Sequence, residues 1–137
     1  MNVPLYGPAL VTIATVVLLL SCAAYVASAR GKYGVKAPAT SGHPQFEVAH
    51  RIHMNTLENT VTFLPALWLC AVFVNPLWAS VGGAVWLAGR IWYALAYALN
   101  PKKRGGGFTL ALLANGALLA VAGAGVLQQW FAWSMAS

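Results

Sequence analysis

The chain has 137 residues, 60% of them hydrophobic and only 7% charged, where a soluble domain carries roughly 25%. That composition all but excludes a soluble fold. Eight basic residues face two acidic ones, Glu47 and Glu58. The basic residues fall in groups: Arg30, Lys32, Lys36 and Arg51 in one region, Lys102, Lys103 and Arg104 in another, with Arg90 alone. Such grouping marks the cytoplasmic loops of a membrane protein and not a nucleic-acid surface.

A hydrocarbon core of about 30 Å takes about 20 helical residues per crossing. The length therefore predicts an all-α integral membrane protein, a single four-transmembrane-helix bundle over 1–137. Residues 5–29 carry no charge and form the first span. Their last residues, Ala27-Ser28-Ala29, resemble a signal-peptide cleavage site, but the segment lacks a basic start and its apolar run is too long. Residues 30–45, with Gly31, Gly34, Pro38, Gly42 and Pro44, read as a loop. No charge occurs from Asn59 to Gly89, a run too long for one crossing, and Asn75-Pro76 breaks it into a second helix over 46–74 and a third over 77–99. Asn100-Pro101 and the basic cluster end the third helix.

After Gly105-Gly106-Gly107 a fourth helix covers 108–130, with Gly116, Ala120, Gly123 and Ala124 as small surfaces for close packing. Trp130 and Trp133 fit the far interface. Loops 30–45 and 100–107 then lie on the cytoplasmic side, with both termini opposite. Cys22 and Cys70 sit in apolar runs and read as buried thiols. The three histidines, His43, His50 and His53, have no cysteine nearby, so no metal site is expected.

The informative residues are polar ones inside membrane helices. Arg51, Asn55 and Glu58 are spaced i, i+4, i+7 on one face of the second helix, and Arg90, Tyr93 and Tyr97, spaced i, i+3, i+7, share a face of the third. Counted from Asn75 at 1.5 Å per residue, Glu58 lies about 25 Å and Arg90 about 22 Å from the hairpin, so the stripes should run side by side. A charge turned to lipid at mid-bilayer costs about 2.5 to 3.5 kcal/mol; both residues must face protein or water. One reading is a Glu58–Arg90 ion pair that fixes helix register. The additional donors Arg51, Asn55, Tyr93 and Tyr97 favour a second, a net-basic pocket open to the cytoplasm. Such a pocket suits a small anionic, amino-acid-like or peptide ligand, with arginine gripping carboxylates and Glu58 receiving an amine.

The run Phe46-Glu47-Val48-Ala49-His50-Arg51-Ile52-His53-Met54-Asn55-Thr56-Leu57-Glu58-Asn59 resembles the second-helix signature of the MAPEG family, the membrane-associated proteins of eicosanoid and glutathione metabolism. Gly89-Arg90-Ile91-Trp92-Tyr93 to Tyr97, followed by Lys103-Arg104-Gly105, is similar to its third-helix signature and basic loop. The likeness is to bacterial relatives of the microsomal glutathione transferases, and it covers nearly the whole chain.

The resemblance implies a homotrimer in a bacterial inner membrane that binds glutathione as co-substrate between neighbouring subunits. It implies that Arg51 and Asn55 hold the glutamyl end and Glu58 its amine. Arg90, Tyr93 and Tyr97 would line the site, with His53 near it and Arg30 approaching from a neighbouring first helix. Arg104 would be catalytic, stabilising the thiolate that attacks a hydrophobic electrophile from the bilayer, with lipid hydroperoxide reduction as a side activity. The size of that effect is adequate: a charge pair at 4 Å in a dielectric of about 20 is worth about 4 kcal/mol, enough to bring a thiol from about 8.5 to about 6. Without the resemblance, Lys102-Lys103-Arg104 reads as a topology anchor.

Two positions depart from the family pattern. Asn59 stands where several animal members have tyrosine, and Gly31 where some carry a second arginine, so mechanisms needing that arginine are not carried over. Two other functions compete with the transferase. One is a lipid-binding member without chemistry, for which a tripeptide site is superfluous. The other is a proton-coupled exporter using Glu58, which basic neighbours would hold ionised.

Overall fold

The computed structural model describes residues 4–136; the ends of the expected 1–137 domain, residues 1–3 and 137, lie outside the described residues. Four long helices follow one another: α1 (Tyr6–Tyr33), α2 (Pro44–Phe73), α3 (Pro76–Leu99) and α4 (Gly105–Ala136). A short 3-10 turn, Pro101–Lys103, joins α3 to α4. The helices alternate in direction. Trp68 near the end of α2 donates to Thr12 near the start of α1, and Gln129 near the end of α4 donates to the Phe73 carbonyl. The α2–α3 hairpin forms the centre, and α1 and α4 flank it.

The helix ends follow local chemistry. Pro44 and Pro76 occupy the first helical turn, where their missing N–H groups have no intrahelical acceptor to lose. Ahead of each stands a side-chain cap. His43 Nδ1 accepts from the Gln45 N–H at 3.2 Å, and Asn75 Oδ1 accepts from the Leu77 N–H at 2.7 Å. The first helix runs past Ala29 to Tyr33 and stops where Gly34 adopts the left-handed conformation, φ 69°. The fourth helix begins at Gly105, three residues before the expected start, so the glycine triplet is helical and not a linker. It also extends beyond Trp130 to Ala136.

The reason for the glycines is the distance between α3 and α4. A Cβ on Gly89 would stand 2.8 Å from the Ala111 nitrogen and 3.1 Å from the Gly107 oxygen, and one on Gly107 would collide with the Tyr93 backbone. The two helices therefore meet backbone to backbone. The small residues that pack α4 inside the subunit are Gly107, Ala111, Ala114, Ala122 and Gly125. Gly116, Ala120, Gly123 and Ala124, the small residues expected to allow close packing, face outward, so they are not the ones that pack α4 inside the subunit.

The main core lies between α2, α3 and α4. Phe63 and Trp86 stack there with centroids 3.7 Å apart and planes within 3°, surrounded by Leu67, Cys70 and Leu118. Both cysteines are buried and unpaired, as the sequence suggested. Three helices, α1, α2 and α4, are long and apolar enough to cross a membrane. Helix α3 carries Arg90, Tyr93 and Tyr97, which lower its hydropathy, but all three are buried, while Val81, Val85, Ile91 and Leu95 face outward. Its polarity is turned into the bundle, and its outer face is as suited to lipid as those of its neighbours. The protein is an all-helical integral membrane protein.

Candidate functional site

At the loop end of the bundle, α2, α3 and the start of α4 enclose a cavity of about 330 Å³, lined by Arg51, Asn55, Tyr93, Tyr97, Arg104, Gly105 and Phe108. Each helix contributes for a local reason. Arg51 and Asn55 are one turn apart on the edge of α2 that faces α4. Two turns further along that edge Thr62 accepts from Asn115 of α4 at 2.9 Å. Tyr93 and Tyr97, also one turn apart, pack edge to face with centroids at 5.6 Å, and the helical start of α4 at Gly105–Gly107 brings Phe108 against Tyr93.

Arg104 reaches the same place by a reversal of the chain. A continuous helix would carry it about 10 Å beyond Tyr97. Instead Asn100 caps the turn, its Oδ1 accepting from the Lys102 N–H at 3.0 Å, and the chain folds back. Arg104 Nη1 then donates to the Tyr97 hydroxyl at 3.1 Å, with its guanidinium carbon 5.1 Å from the ring centre. The rest of Arg104 is exposed at the cavity mouth. Two guanidinium groups thus border one small cavity, and among the described residues no carboxylate lines it. Chemically such a lining can pair with an anion that has several acceptor oxygens.

Arg90 lies behind the wall. It is fully buried, and its Nη2 donates to Asn55 Oδ1 at 3.0 Å and Thr56 Oγ1 at 2.8 Å. Its guanidinium carbon sits 4.2 Å from the centre of the Tyr93 ring. The ion pair with Glu58 is therefore not the arrangement adopted. Arg90 instead meets α2 about one turn nearer the loops, at Asn55 and Thr56, because a long side chain lets the guanidinium depart from the level of its own Cα. Glu58 is exposed beside the α2–α4 seam, outside the cavity.

Two other residues singled out by sequence stand elsewhere in the subunit. Arg30 folds over its own α1–α2 loop, donating to the Ala39 carbonyl at 2.7 Å and stacking over Phe46 at 4.6 Å. His53 lies two positions beyond Arg51, about 200° around the helix, and does not border the cavity. The cavity therefore collects Arg51, Asn55, Tyr93, Tyr97 and Arg104, has Arg90 behind it, and leaves out Arg30, His53 and Glu58. Thr56 and Phe108 went unnoticed in the sequence. Phe108 had a legible signal, one turn after Arg104 at a helix start, whereas a threonine beside Asn55 offered none.

The fold and cavity define a class: four-helix membrane bundles with a basic cleft at one end. The model of the MAPEG family matches residues 8–124, and the chain belongs to that family. An uncharacterized protein of Synechocystis sp. is 45% identical over 122 residues, spanning 85% of this chain and 89% of its own. Human microsomal glutathione S-transferase 2 is 36% identical over 74% of this chain and 73% of its own. Bovine leukotriene C4 synthase is 33% identical over 85% and 78% respectively.

Proposed function

We propose that this protein is a glutathione transferase of the membrane, which binds glutathione in the cavity, holds its thiol as a thiolate and conjugates it to hydrophobic electrophiles. One observation carries the reading: Arg104 is hydrogen-bonded to Tyr97 at the mouth of the cavity that Arg51 and Asn55 line. Carboxylate-binding donors and a cation free to meet a sulfur thus share one small volume. The names of two relatives, a glutathione S-transferase and leukotriene C4 synthase, support the same chemistry.

In this reading Arg51 and Asn55 hold a carboxylate of glutathione, Tyr93 and Tyr97 border the tripeptide, and Arg104 faces the sulfur. The thiolate attacks an apolar electrophile that enters from the bilayer past Phe108. The same thiolate serves for reduction of a lipid hydroperoxide. Glu58 and Arg30 act across a subunit boundary. A carboxylate left on the outer face of a membrane helix costs up to about 2.5 to 3.5 kcal/mol at mid-bilayer and less toward the interface; cover by a neighbouring copy removes that cost, which supports self-association, here as a homotrimer. The loops at 34–43 and 100–104 lie in the cytoplasm, where glutathione is found, and the membrane is the bacterial inner membrane.

The test is ultraviolet difference absorbance of the detergent-purified protein as glutathione is added at neutral pH. A thiolate band that saturates in proportion to protein is expected. Calorimetric binding without that band would leave a binder that does not activate sulfur, and absence of both would end the glutathione reading.

A further inference from the structure

We infer that Arg90 is a positioning residue: it fixes the carboxamide of Asn55 with its oxygen inward and its NH2 toward the cavity, so that this wall offers donors to a carboxylate. The inference rests on the proposed glutathione site and deepens it, since Arg90 acts there without bordering the cavity.

The chemistry of the donors decides the orientation. An asparagine amide can be turned either way when only its shape is known. Arginine has donors and no acceptor, so the atom that meets Arg90 Nη2 at 3.0 Å must be oxygen. Asn59 agrees, its Nδ2 reaching the same Oδ1 at 3.5 Å while donating to the Asn55 carbonyl at 2.8 Å. With two donors on the oxygen, the Asn55 Nδ2 is the group left for the cavity, and it makes no hydrogen bond among the described residues. Beside it stand the guanidinium groups of Arg51 and Arg104. Tyr97 adds a further donor: its oxygen already accepts from Arg104, which leaves its own O–H to turn toward a ligand.

Arg90 is itself held in a way that suits this task. It is wholly buried, pinned by Thr56 at 2.8 Å and pressed on the Tyr93 ring. Its Nε and Nη1 have no hydrogen-bond partner. Among the described residues no carboxylate neutralises it, so its charge adds to the attraction for an anion on the far side of Asn55. Were register its sole purpose, an acidic partner on α2 would satisfy it better.

Two variants and two measurements test the idea. Asn55→Asp keeps an oxygen for Arg90 and adds an ion pair, so melting in detergent should occur at or above the wild-type temperature. The cavity side, however, changes from an NH2 donor to an anionic acceptor, and the Kd for glutathione by calorimetry should rise more than tenfold. Arg90→Lys keeps the charge but replaces the planar guanidinium, whose Nη2 donates to both Asn55 and Thr56 while its face lies on the Tyr93 ring, with a shorter, rotatable ammonium that does not stack. It should raise Kd and KM about fivefold, and the loss should fall on KM and not on kcat.

The second readout needs no ligand. The side-chain amide signal of Asn55 in a 15N-labelled sample, identified by its disappearance in Asn55→Asp, should be sharp in the wild type and shifted or broadened in Arg90→Lys. Unchanged glutathione affinity in Asn55→Asp would overturn the orientation. An Asn55 amide signal indifferent to Arg90→Lys would overturn the positioning role, and so would wild-type KM in that variant. If Arg90→Lys does not fold, Asn55→Asp alone decides the orientation. Failure of the wild type to bind glutathione would sink the transferase reading, and the ligand-free amide signal would still decide whether Arg90 orders Asn55.

Discussion

Replacing Arg104 by alanine isolates the proposed activation of sulfur. The guanidinium approaches the cavity from an exposed position, so the dielectric around it lies between the values for a protein surface and for water. For a sulfur at 4 Å those limits give about 4 and about 1 kcal/mol. A middle value of about 2.5 kcal/mol lowers a thiol near 8.5 by roughly two units, to about 6.5. The sign follows from the charge: a cation favours the thiolate, so its removal raises the thiol and the band is lost at neutral pH and regained in alkali.

At pH 7 the thiolate fraction should fall about 25-fold in Arg104→Ala, from roughly three quarters to about 3%, whereas at pH 9 the two proteins should differ by only about 1.3-fold. Spectroscopic titration of bound glutathione reads the midpoint directly. Turnover should fall by less than the thiolate signal, because a thiolate of higher pKa is the better nucleophile. By linkage the same shift weakens glutathione binding only about fourfold at pH 7 and hardly at all below about pH 5.5, since Arg51 and Asn55 remain. Equal midpoints in the two proteins would refute the assignment of Arg104 to the sulfur.

Arg51→Ala should show the reverse pattern, with KM for glutathione raised tenfold or more and kcat nearly kept, as steady-state kinetics with a standard electrophile would show. Glu58→Gln should abolish the preference for glutathione over its desamino analogue, and a preserved preference would remove Glu58 from amine recognition. Gly107→Ala would drive a Cβ into the Tyr93 backbone and should destabilise by about 1 to 3 kcal/mol or more. Gly116→Ala, which meets open space, should leave melting in detergent unchanged. Phe63→Ala removes one half of the stack with Trp86 and should cost about 3 to 5 kcal/mol.

Much of the bundle was legible because the bilayer simplifies the code. Long uncharged runs, a Pro after Asn at position 75 and clustered lysines and arginines suffice to count helices and place their turns. Helix ends were harder. The glycine triplet reads as a linker when only its flexibility is considered, yet close approach of α3 makes Gly107 a packing residue inside a helix. The outward stripe of Gly116, Ala120 and Gly123 shows the converse, since small-residue spacing says that a helix can be approached and not from which side. At the site, helical spacing brought together Arg51 with Asn55 and Tyr93 with Tyr97. It did not foresee Arg104 hydrogen-bonded to Tyr97, which depends on the turn at Asn100–Lys103. Nor did it foresee Arg90 bonded to Asn55 and Thr56, because depth counted along a helix ignores the reach of a long side chain.

Arg90 is where local rules of stability are broken most plainly. A buried guanidinium with, among the described residues, two unpartnered nitrogens and no carboxylate is an expensive way to join two helices, and well-packed apolar residues often replace buried charge with no loss of stability. Such a violation belongs where function requires it. Here the buried cation orders an amide on the cavity wall and raises the potential of a cleft that must attract an anion. An Arg90→Met, Thr56→Val pair removes the charge together with one of the two oxygens that served it. Its melting temperature should stay within a few degrees of wild type, while glutathione affinity falls about tenfold. A large loss of stability, with affinity kept in whatever remains folded, would show that Arg90 serves the bundle and not the site.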